Sequence, residues 1–314
     1  MFTNKADAPE VDEHSIMVLR TGKVQRFQTT TELCKHIMAS SESDDQRQRG
    51  VHESSYSKNE SKRIRLLSWN IDGLDCPTAE KRTYTICEII KTVNPHVVLL
   101  QEVVLETFAI LCKKCPEYRI IPGDITGYFV AIMLKIEDLE FIGKSIFPYP
   151  FSVFGRNLLT VQCRLKGVPF IFMTSHLESM AALSELRRIQ LGSCFRRMKR
   201  ESANYTVIFG GDMNLRDWEL SEMGGIPEGI SDVWEMTGSR LNCEFTWDLL
   251  LNTNKKFDSD HKPRLRFDRI YLRDSDPKSV SPMYFELVGL EKLRVYEVFP
   301  SDHFGLLTHF DIRC

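Results

Sequence analysis

The sequence predicts an α/β fold with two stacked sheets, and three observations lead to that prediction. Strand-like and helix-like segments alternate from Arg63 onward, which is typical of sheets covered by helices. The 314 residues, of which 42% are hydrophobic and 27% charged, are enough for one large globular domain. The strand-like segments are also numerous, which favours two packed sheets over a single one.

The first elements show the alternation clearly. Residues 64–69 are predicted to form a strand. Residues 78–92 have apolar side chains at helical spacing, and this predicted helix stops near Asn94. A second strand follows over residues 97–100. Further strand-like runs lie at residues 127–134, 158–165, 169–174, 207–209, 266–272 and 305–310.

Residues 1–62 are predicted to be an amino-terminal segment with a flexible linker, separate from one large folded domain over residues 63–314. Residues 40–62 are polar, charged and nearly free of large aliphatic side chains, so burial cannot offset the entropy of ordering them. Within the segment, residues 16–19 could form a strand and residues 29–39 a capped helix.

Bulk composition argues against two classes of protein. A net charge of −2 disfavours a protein that coats nucleic acid, so a polyanionic ligand would need a local basic groove. No window of about 18 apolar residues is present, and the acidic first residues are unlike a secretory signal. Nine scattered cysteines, an odd number, suit a reducing compartment. We therefore expect an intracellular protein with no membrane partner.

Polar clusters stand at or near the ends of five predicted strands. They are SWNIDGL from Ser68, LLQEV from Leu99, TSHLES from Thr174, GGDMNLRD from Gly210 and SDHFG from Ser301. A further acid, Asp268, lies inside the predicted strand RFDRIYL. Each cluster alone has a plain alternative, such as a turn, a helix cap or a core histidine. One shared active site would account for all of them together.

The residue types in these clusters suit attack of water on a phosphodiester. Glu102 is a hard oxygen ligand suited to magnesium, and Asp212 can take a proton from water. Asn70 and Asn214 can hold that water or a phosphate oxygen without adding charge. The interpretation is metal-assisted hydrolysis.

Two histidines complete this chemistry. His176 and His303 can donate hydrogen bonds to the charge that develops on the phosphoryl group. Asp268 could accept from the other ring nitrogen of His303 and keep that ring oriented.

In this order the five motifs resemble the exonuclease–endonuclease–phosphatase superfamily, with its DNase I-like fold, over about residues 64–312. Within that superfamily, the chain most resembles the 5′-tyrosyl-DNA phosphodiesterases. The motifs that carry this resemblance are WNIDGLD, QEV, SHLES, GGDMNLRD, TWD at Thr246 and SDHFGL. The resemblance implies a DNase I-like two-sheet α/β sandwich with helices on the outer faces and the site at one edge, between the sheets.

The resemblance also implies a role for each residue of the site. Glu102 would hold a single Mg²⁺, or Mn²⁺ as a substitute, with Asp72 nearby or contributing through water and Asp302 supporting the metal side. The catalytic residues would be Asp212 as general acid or base, Asn214 and Asn70 assisting it, and His176 and His303 as stabilisers of the transition state, with Asp268 behind His303.

The DNA contacts implied by the resemblance lie in three segments and at two further positions. They are Asn70, Ile71, Asp72, Gly73 and Leu74, then Ser175, His176, Leu177, Glu178, Ser179 and Met180, then Asn214, Leu215 and Arg216, and finally Arg156 and Trp247.

The function implied is DNA repair in the nucleus, and also in the cytoplasm. A magnesium-dependent phosphodiesterase would release a tyrosine, left by a trapped topoisomerase, from single-stranded or short-overhang 5′ ends. Two alternatives stay open: another superfamily member, such as an abasic-site endonuclease or a deadenylase, and a non-catalytic adaptor. A deadenylase would need a purine-stacking pocket, whereas an adaptor would not need Glu102, Asp212 and His303 together.

The chain departs from the family pattern at two places. Family members often carry a small ubiquitin-binding domain at the amino end, but residues 1–62 have no clear three-helix pattern, which leaves a ubiquitin-type partner without support from the sequence. Met180 follows SHLES where family members usually have a small polar residue.

Overall fold

A computed structural model describes residues 63–74, 77–125, 127–256 and 262–313, together with the strands β1 (Ile16–Arg20) and β2 (Lys23–Phe27). The strands β1 and β2 pair as an antiparallel hairpin, which confirms the strand predicted over residues 16–19. The helix predicted over residues 29–39 and the linker over residues 40–62 lie outside the described residues. The chain divides into two units, Met1–Gln48 and Arg49–Cys314. No helix within the described residues is long and apolar enough to cross a membrane.

The larger unit alternates strands and helices. Its strands are β3 (Arg63–Asn70), β4 (Val97–Val103), β5 (Tyr118–Pro122), β6 (Phe129–Lys135), β7 (Leu139–Pro148), β8 (Asn157–Leu165), β9 (Val168–His176), β10 (Thr206–Asp212), β11 (Ser231–Asp232), β12 (Trp247–Asp248), β13 (Arg264–Leu265), β14 (Asp268–Arg273), β15 (Val280–Val288) and β16 (Gly305–Ile312). Its α-helices are α1 (Ala79–Val93), α2 (Leu105–Lys114), α3 (Ser184–Arg200), α4 (Asp217–Glu222) and α5 (Val233–Met236).

Two six-stranded sheets form the body of this unit. One has the order β15-β16-β3-β4-β6-β5 and the other β11-β14-β10-β9-β8-β7. Within them, β3 pairs with β4 and β9 with β10 in parallel, while their other neighbours are antiparallel. A shared core of Leu66, Leu99, Leu159, Phe172 and Ile208 joins the two inner faces. The predicted two-sheet sandwich is confirmed.

Helix α3 covers the outer face of the second sheet. Its apolar side chains at Leu191, Phe195 and Met198 are buried against Met173 of β9 and Phe209 of β10. Burial of one apolar helix stripe on a sheet face is the main stabilising contribution in such a layer. The predicted outer helix layer is therefore present on this face.

The sheet topology brings the polar clusters to one edge. The parallel strands of each sheet end there, at Asn70 in β3 and at Asp212 in β10. The antiparallel neighbours β14 and β16 begin at the same edge, so residues before them also reach it. Two expected placements are corrected by this: Asp268 is the first residue of β14, and the SDHFG cluster precedes β16 instead of ending a strand.

Candidate active site

Strand β10 continues through its two glycines to Asp212, three residues beyond the predicted end. A Cβ atom on Gly211 would lie 2.2 Å from the carbonyl oxygen of Ser175, so only glycine allows β9 to pass this closely. Asp212 consequently pairs with His176 on one side and with Asp268 on the other. The glycines thus place three predicted site residues side by side on adjacent strands.

Asn70 links the ends of the two sheets. Its Nδ2 donates to Asp212 Oδ2 at 3.0 Å and to Glu102 Oε1 at 3.2 Å, and its Oδ1 accepts from the backbone N–H of Asp72 at 3.0 Å. Because Asn70 is buried, these bonds fix the spacing between the two carboxylates. The amide therefore positions an acid from each sheet.

Asp212 is the centre of the cluster. Its Oδ1 accepts from the backbone N–H of Asn214 at 2.8 Å, and its Oδ2 lies 3.2 Å from His176 Nε2 and 3.8 Å from His303 Nε2. Asn214 has φ +48°, and its side chain donates to the Leu177 carbonyl at 3.2 Å. The acid is thus held by its own turn and faces both predicted histidines.

His303 is held by a second carboxylate. Its Nδ1 lies 2.8 Å from Asp268 Oδ2, which also accepts from the Thr246 hydroxyl at 2.5 Å. Burial lowers the pKa of His303, but the Asp268, Asp212 and Asp302 carboxylates outweigh burial and raise that pKa well above its ordinary value. The three aspartates therefore favour the imidazolium form of His303, and the predicted contact between Asp268 and His303 is present.

His176, in contrast, favours the neutral form. Burial, together with the charges of Arg156 and His303, lowers the pKa of His176 to about 3 in spite of Asp212. Its buried Nδ1 has no hydrogen-bond partner among the described residues and lies 3.8 Å from Glu102 Oε1. The site thus combines one charged and one neutral histidine on the same aspartate.

The three acids predicted to bind or support the metal, Glu102, Asp72 and Asp302, are close enough to affect each other electrostatically. Burial and the charges of Asp302 and Asp72 raise the pKa of Glu102 to about 7, against the opposing effects of His303 and Asn70. Burial and Asp302 likewise raise the pKa of Asp72 to about 6. A divalent cation would relieve this repulsion, and oxygen donors are the ligands that Mg²⁺ prefers. The donor set therefore fits the metal that the sequence predicts.

The two metal-side aspartates also contact protein groups. Asp72 faces two cations, with Arg82 Nη1 3.5 Å from its Oδ2 and Lys255 Nζ 3.1 Å from its Oδ1. Asp302 Oδ2 accepts from Trp247 Nε1 at 3.3 Å. Within the described residues, neither Glu102 nor Asp302 is in an ion pair with an arginine or a lysine, whereas Asp72 is in two. The carboxylates of Glu102 and Asp302 are therefore less neutralised by the protein than that of Asp72.

A second group of side chains could hold a metal ion. Asp212, Asp268 and His303 each offer a ligand atom, and these atoms lie within 4.8 Å of one another. The edge as a whole therefore offers ligand atoms for a divalent metal.

Most side chains of the predicted DNA-binding segments point inward. Ile71, Ser175, Leu177, Glu178 and Leu215 are buried, whereas Leu74 and Met180 are exposed and Ser179 and Arg216 are partly exposed. Gly73 has no room for a side chain, since a Cβ atom would lie 2.2 Å from the Glu102 carbonyl oxygen. The segments do reach the site edge, but their individual DNA contacts stay predictions.

Trp247 and Arg216 lie against the same aromatic ring. The Trp247 ring centre is 5.5 Å from that of Phe267, and the Arg216 guanidinium is 5.3 Å from it. Arg216 also donates to the Asn214 carbonyl at 3.0 Å. Trp247 is thus held beside Asp302, and Arg216 beside Asn214. Both were predicted to contact DNA.

A small cavity beside the site contains residues that the sequence did not predict. It is lined in part by Glu102, Tyr128, Phe154, Arg156 and His176. Arg156 is buried, with its guanidinium 4.7 Å from the Tyr128 ring centre and 5.4 Å from that of Phe154. Tyr128 belongs to none of the sequence motifs. It lies just before β6, which pairs with β4, the strand of Glu102, and this position is the signal that could have indicated it.

Residues 67–303 match the family model described as the endonuclease/exonuclease/phosphatase family. This chain belongs to that family. Tyrosyl-DNA phosphodiesterase 2 of Gallus gallus is 42% identical over 248 residues, which are 79% of this chain and 66% of that protein. The Homo sapiens protein of the same name is 41% identical over 248 residues, 79% of this chain and 68% of its own length. The chain therefore spans about two thirds of the length of these family members, and the predicted resemblance to tyrosyl-DNA phosphodiesterase 2 is confirmed.

Solved structures agree with this family placement. The structure of D. rerio TDP2 complexed with single strand DNA product has a TM-score of 0.77 and 37% identity, and covers 79% of this chain and 99% of that one. The structure of TDP2 from C. elegans has a TM-score of 0.73 and 31% identity, and covers 79% of this chain and 75% of that one. The residues matched by the family model include every polar residue of the site from Asn70 to His303.

Proposed function

We propose that this chain is a metal-dependent phosphoric diester hydrolase that acts on DNA. The observation that carries the proposal is the placement of Asp212 between neutral His176 and charged His303, with Asp268 behind the latter. A buried carboxylate with this surrounding can accept a proton from an attacking water. The imidazolium of His303 can at the same time donate to a phosphoryl oxygen as charge builds on it.

The other site residues support the same reaction. Asn70 and Asn214 hold Asp212 through both carboxylate oxygens, so the acid keeps one orientation throughout the reaction. Glu102, with Asp72 and Asp302 near it, would hold Mg²⁺, and Mn²⁺ could substitute. When bound, such a cation would polarise the phosphoryl oxygens and neutralise part of their charge.

The substrate that we propose is the 5′-phosphotyrosyl linkage between a trapped topoisomerase and DNA, with a 5′ phosphate as the product. The family members named tyrosyl-DNA phosphodiesterase 2 support this choice. A phenolate, whose conjugate acid has a pKa near 10, leaves far more easily than an alkoxide, so one metal and little acid assistance would suffice. Tyr128 and Arg156, which pack against each other beside the site, would offer an aromatic and a cationic contact to such a ring.

The proposed setting is DNA repair in the nucleus, and also in the cytoplasm, on single-stranded or short-overhang 5′ ends. A DNA-product complex of a similar protein supports DNA as the ligand. Arg216, beside Asn214, is the cation best placed to meet a phosphate in this proposal.

The proposal is tested with a 5′-phosphotyrosyl oligonucleotide, incubated with the full chain in magnesium or in excess chelator. We expect release of tyrosine and a 5′-phosphorylated strand in magnesium alone. The matched control is the Asp212→Asn chain under the same conditions. Equal release by the wild-type and control chains, or no release in any divalent metal, would refute the proposed function.

A further inference from the structure

The loop between β7 and β8, residues 149–156, presents apolar side chains to solvent beside the site. Phe151 is 88% exposed, Val153 61% and Phe154 42%. Residues 149–155 carry no charged side chain. Adjacent exposed apolar side chains of this kind are typical of a contact surface.

The loop is fastened to the catalytic strand at both ends. Tyr149 donates to the Ser175 hydroxyl at 3.1 Å, and that hydroxyl donates to the Asn157 carbonyl at 2.9 Å. Ser175 directly precedes His176 in β9. The loop position is therefore set by the same strand that positions a catalytic histidine.

A buried carboxylate fastens the tip of the loop. Glu178 is fully buried, and its Oε1 accepts from the Ser152 hydroxyl at 2.6 Å and from the backbone N–H groups of Val153 at 2.8 Å and Phe154 at 3.4 Å. Bonds to a buried charge are among the stronger hydrogen bonds of a protein. The exposed apolar tip is thus an ordered surface, although nothing within the described residues covers it.

The backbone of the tip is also strained. Phe151 has φ +63°, a conformation that is uncommon and unfavourable for a bulky aromatic residue. Such a conformation persists where the surrounding bonds determine it, and functional sites are where it is commonly found. Here the strain turns an aromatic side chain outward, where it contributes little to folding.

The occupant follows from charge and continuity with the site. Phe154, Gly155 and Arg156 of the loop line the same small cavity as Glu102 and His176, so the loop is continuous with the site where the tyrosine would lie. A DNA strand needs cations for its phosphates, and Arg156 is the one cation of the loop, buried beneath aromatic rings. An uncharged apolar surface instead suits the polypeptide side of the scissile bond.

We propose that Phe151, Val153 and Phe154 bind the peptide that flanks the tyrosine of the adduct, and that they favour apolar residues there. This inference rests on the proposed function. It extends recognition of the leaving group from the tyrosine ring to the peptide on either side of it. Uniform binding of that peptide would lower KM and leave kcat unchanged.

The test compares three oligonucleotides of one sequence. The first carries a single 5′-tyrosine, the second a short peptide in which leucine and valine flank the tyrosine, and the third a peptide with serine and aspartate in those places. We expect the wild-type chain to cleave the second with a kcat/KM about tenfold above the first and third, mostly through KM.

Three variants locate the effect. Phe151→Asn removes the ring and suits the positive φ, and Val153→Ser removes the second apolar group. Both should cleave the single-tyrosine substrate as the wild-type chain does and lose the preference for the leucine–valine peptide. The matched control is Ile136→Ser, which removes an apolar side chain about as exposed as Val153. Ile136 follows β6 at the end of that strand away from the site, so this variant should keep the preference.

The outcomes separate this inference from the proposed function. No cleavage of the single-tyrosine substrate by the wild-type chain refutes the function and this inference with it. Equal cleavage of all three substrates refutes the inference alone. An equal loss on the first and second substrates in Phe151→Asn also refutes it, since the ring would then be stacking on a DNA base or supporting the site.

Discussion

Asp268 accepts the hydrogen bond of His303 at 2.8 Å, and the other ring nitrogen of His303 lies 3.8 Å from Asp212. The two aspartates are cross-strand partners on β14 and β10, so the sheet register itself places an acid on each side of the imidazole. This arrangement is what keeps His303 charged in a buried position. Removal of the Asp268 charge is therefore the most informative test of the role of His303.

Asp268→Asn should make catalysis sensitive to alkaline pH. With Asp268 present, its charge and those of Asp212 and Asp302 outweigh burial and raise the pKa of His303 well above its ordinary value. Without it, burial has more weight and the pKa of His303 falls, so the imidazolium is lost at a lower pH. We expect the alkaline limb of the kcat/KM profile to move to lower pH. An alkaline limb in the same place for both proteins would contradict the role of His303.

Asp212→Asn should lower turnover by roughly 10²–10⁴-fold, the usual contribution of general acid–base catalysis. The change keeps the size and shape of the side chain but removes proton acceptance and one negative charge near the phosphate. DNA binding should be unchanged or tighter, and both constants can be measured on the same oligonucleotide. Retained turnover with altered binding would reassign Asp212 to substrate positioning.

Glu102→Gln should weaken magnesium binding and reduce turnover by orders of magnitude. The amide keeps the shape of the side chain but loses the charge that a hard cation requires. Titration of turnover with magnesium, beside thermal unfolding without metal, separates loss of the ligand from loss of the fold. A folded variant with near-normal magnesium dependence would exclude Glu102 as the principal ligand.

The pH dependence of the same metal site has a definite sign. Burial with Asp302 and Asp72 raises the pKa of Glu102 to about 7, so the metal-free carboxyl gains a proton as pH falls through that value. Protons then compete with magnesium. The magnesium concentration needed for half-maximal turnover should therefore rise as the pH is lowered from 8 to 6. In Glu102→Gln this dependence should be weaker, and what remains would come from Asp72, whose pKa burial and Asp302 raise to about 6.

Removal of residues 1–60 should leave kcat on a short oligonucleotide unchanged. The segment supplies none of the polar residues of the site, which all lie between Asn70 and His303. The experiment also tests the predicted domain boundary at residue 62. A large fall in kcat, with the unfolding temperature unchanged, would show that the boundary is wrong.

The structure brings the predicted site residues together because most of them lie at or beside one end of a regular apolar strand. Alternation of strands and helices was enough to bring such ends to one edge. Strands with mixed patterns were not predicted. Strand β7 has alternating exposed positions, and β15 contains Pro282 beside a bulge, which is tolerated because β15 is an edge strand.

Helix α3 was missed for a related reason. Its sequence is rich in arginine and contains Gly192 and Ser193, so it has low apolar content for a helix that covers a sheet. Packing of Leu191, Phe195 and Met198 on the sheet overrides these weak helix propensities.

Long-range pairing was the other part that the sequence could not supply. Lys255 contacts Asp72 across 183 positions of the chain, and no local pattern indicates such a contact. The Arg156–Tyr128 pair is likewise formed only when two loops meet. Residues of this kind need the folded arrangement before they can be assigned to a site.

The central claim, hydrolysis of a 5′-phosphotyrosyl bond, is tested most directly by competition. Equal amounts of 5′-tyrosyl, 3′-tyrosyl and abasic-site oligonucleotides are offered to the full chain in magnesium, and the three initial rates are measured together. We predict that the 5′-tyrosyl strand is cleaved far faster than the other two, because it combines the phenolic leaving group with the strand polarity that Arg216 and residues 70–74 would select. Fastest cleavage at the abasic site, or equal rates on the two tyrosyl strands, would contradict the proposed substrate.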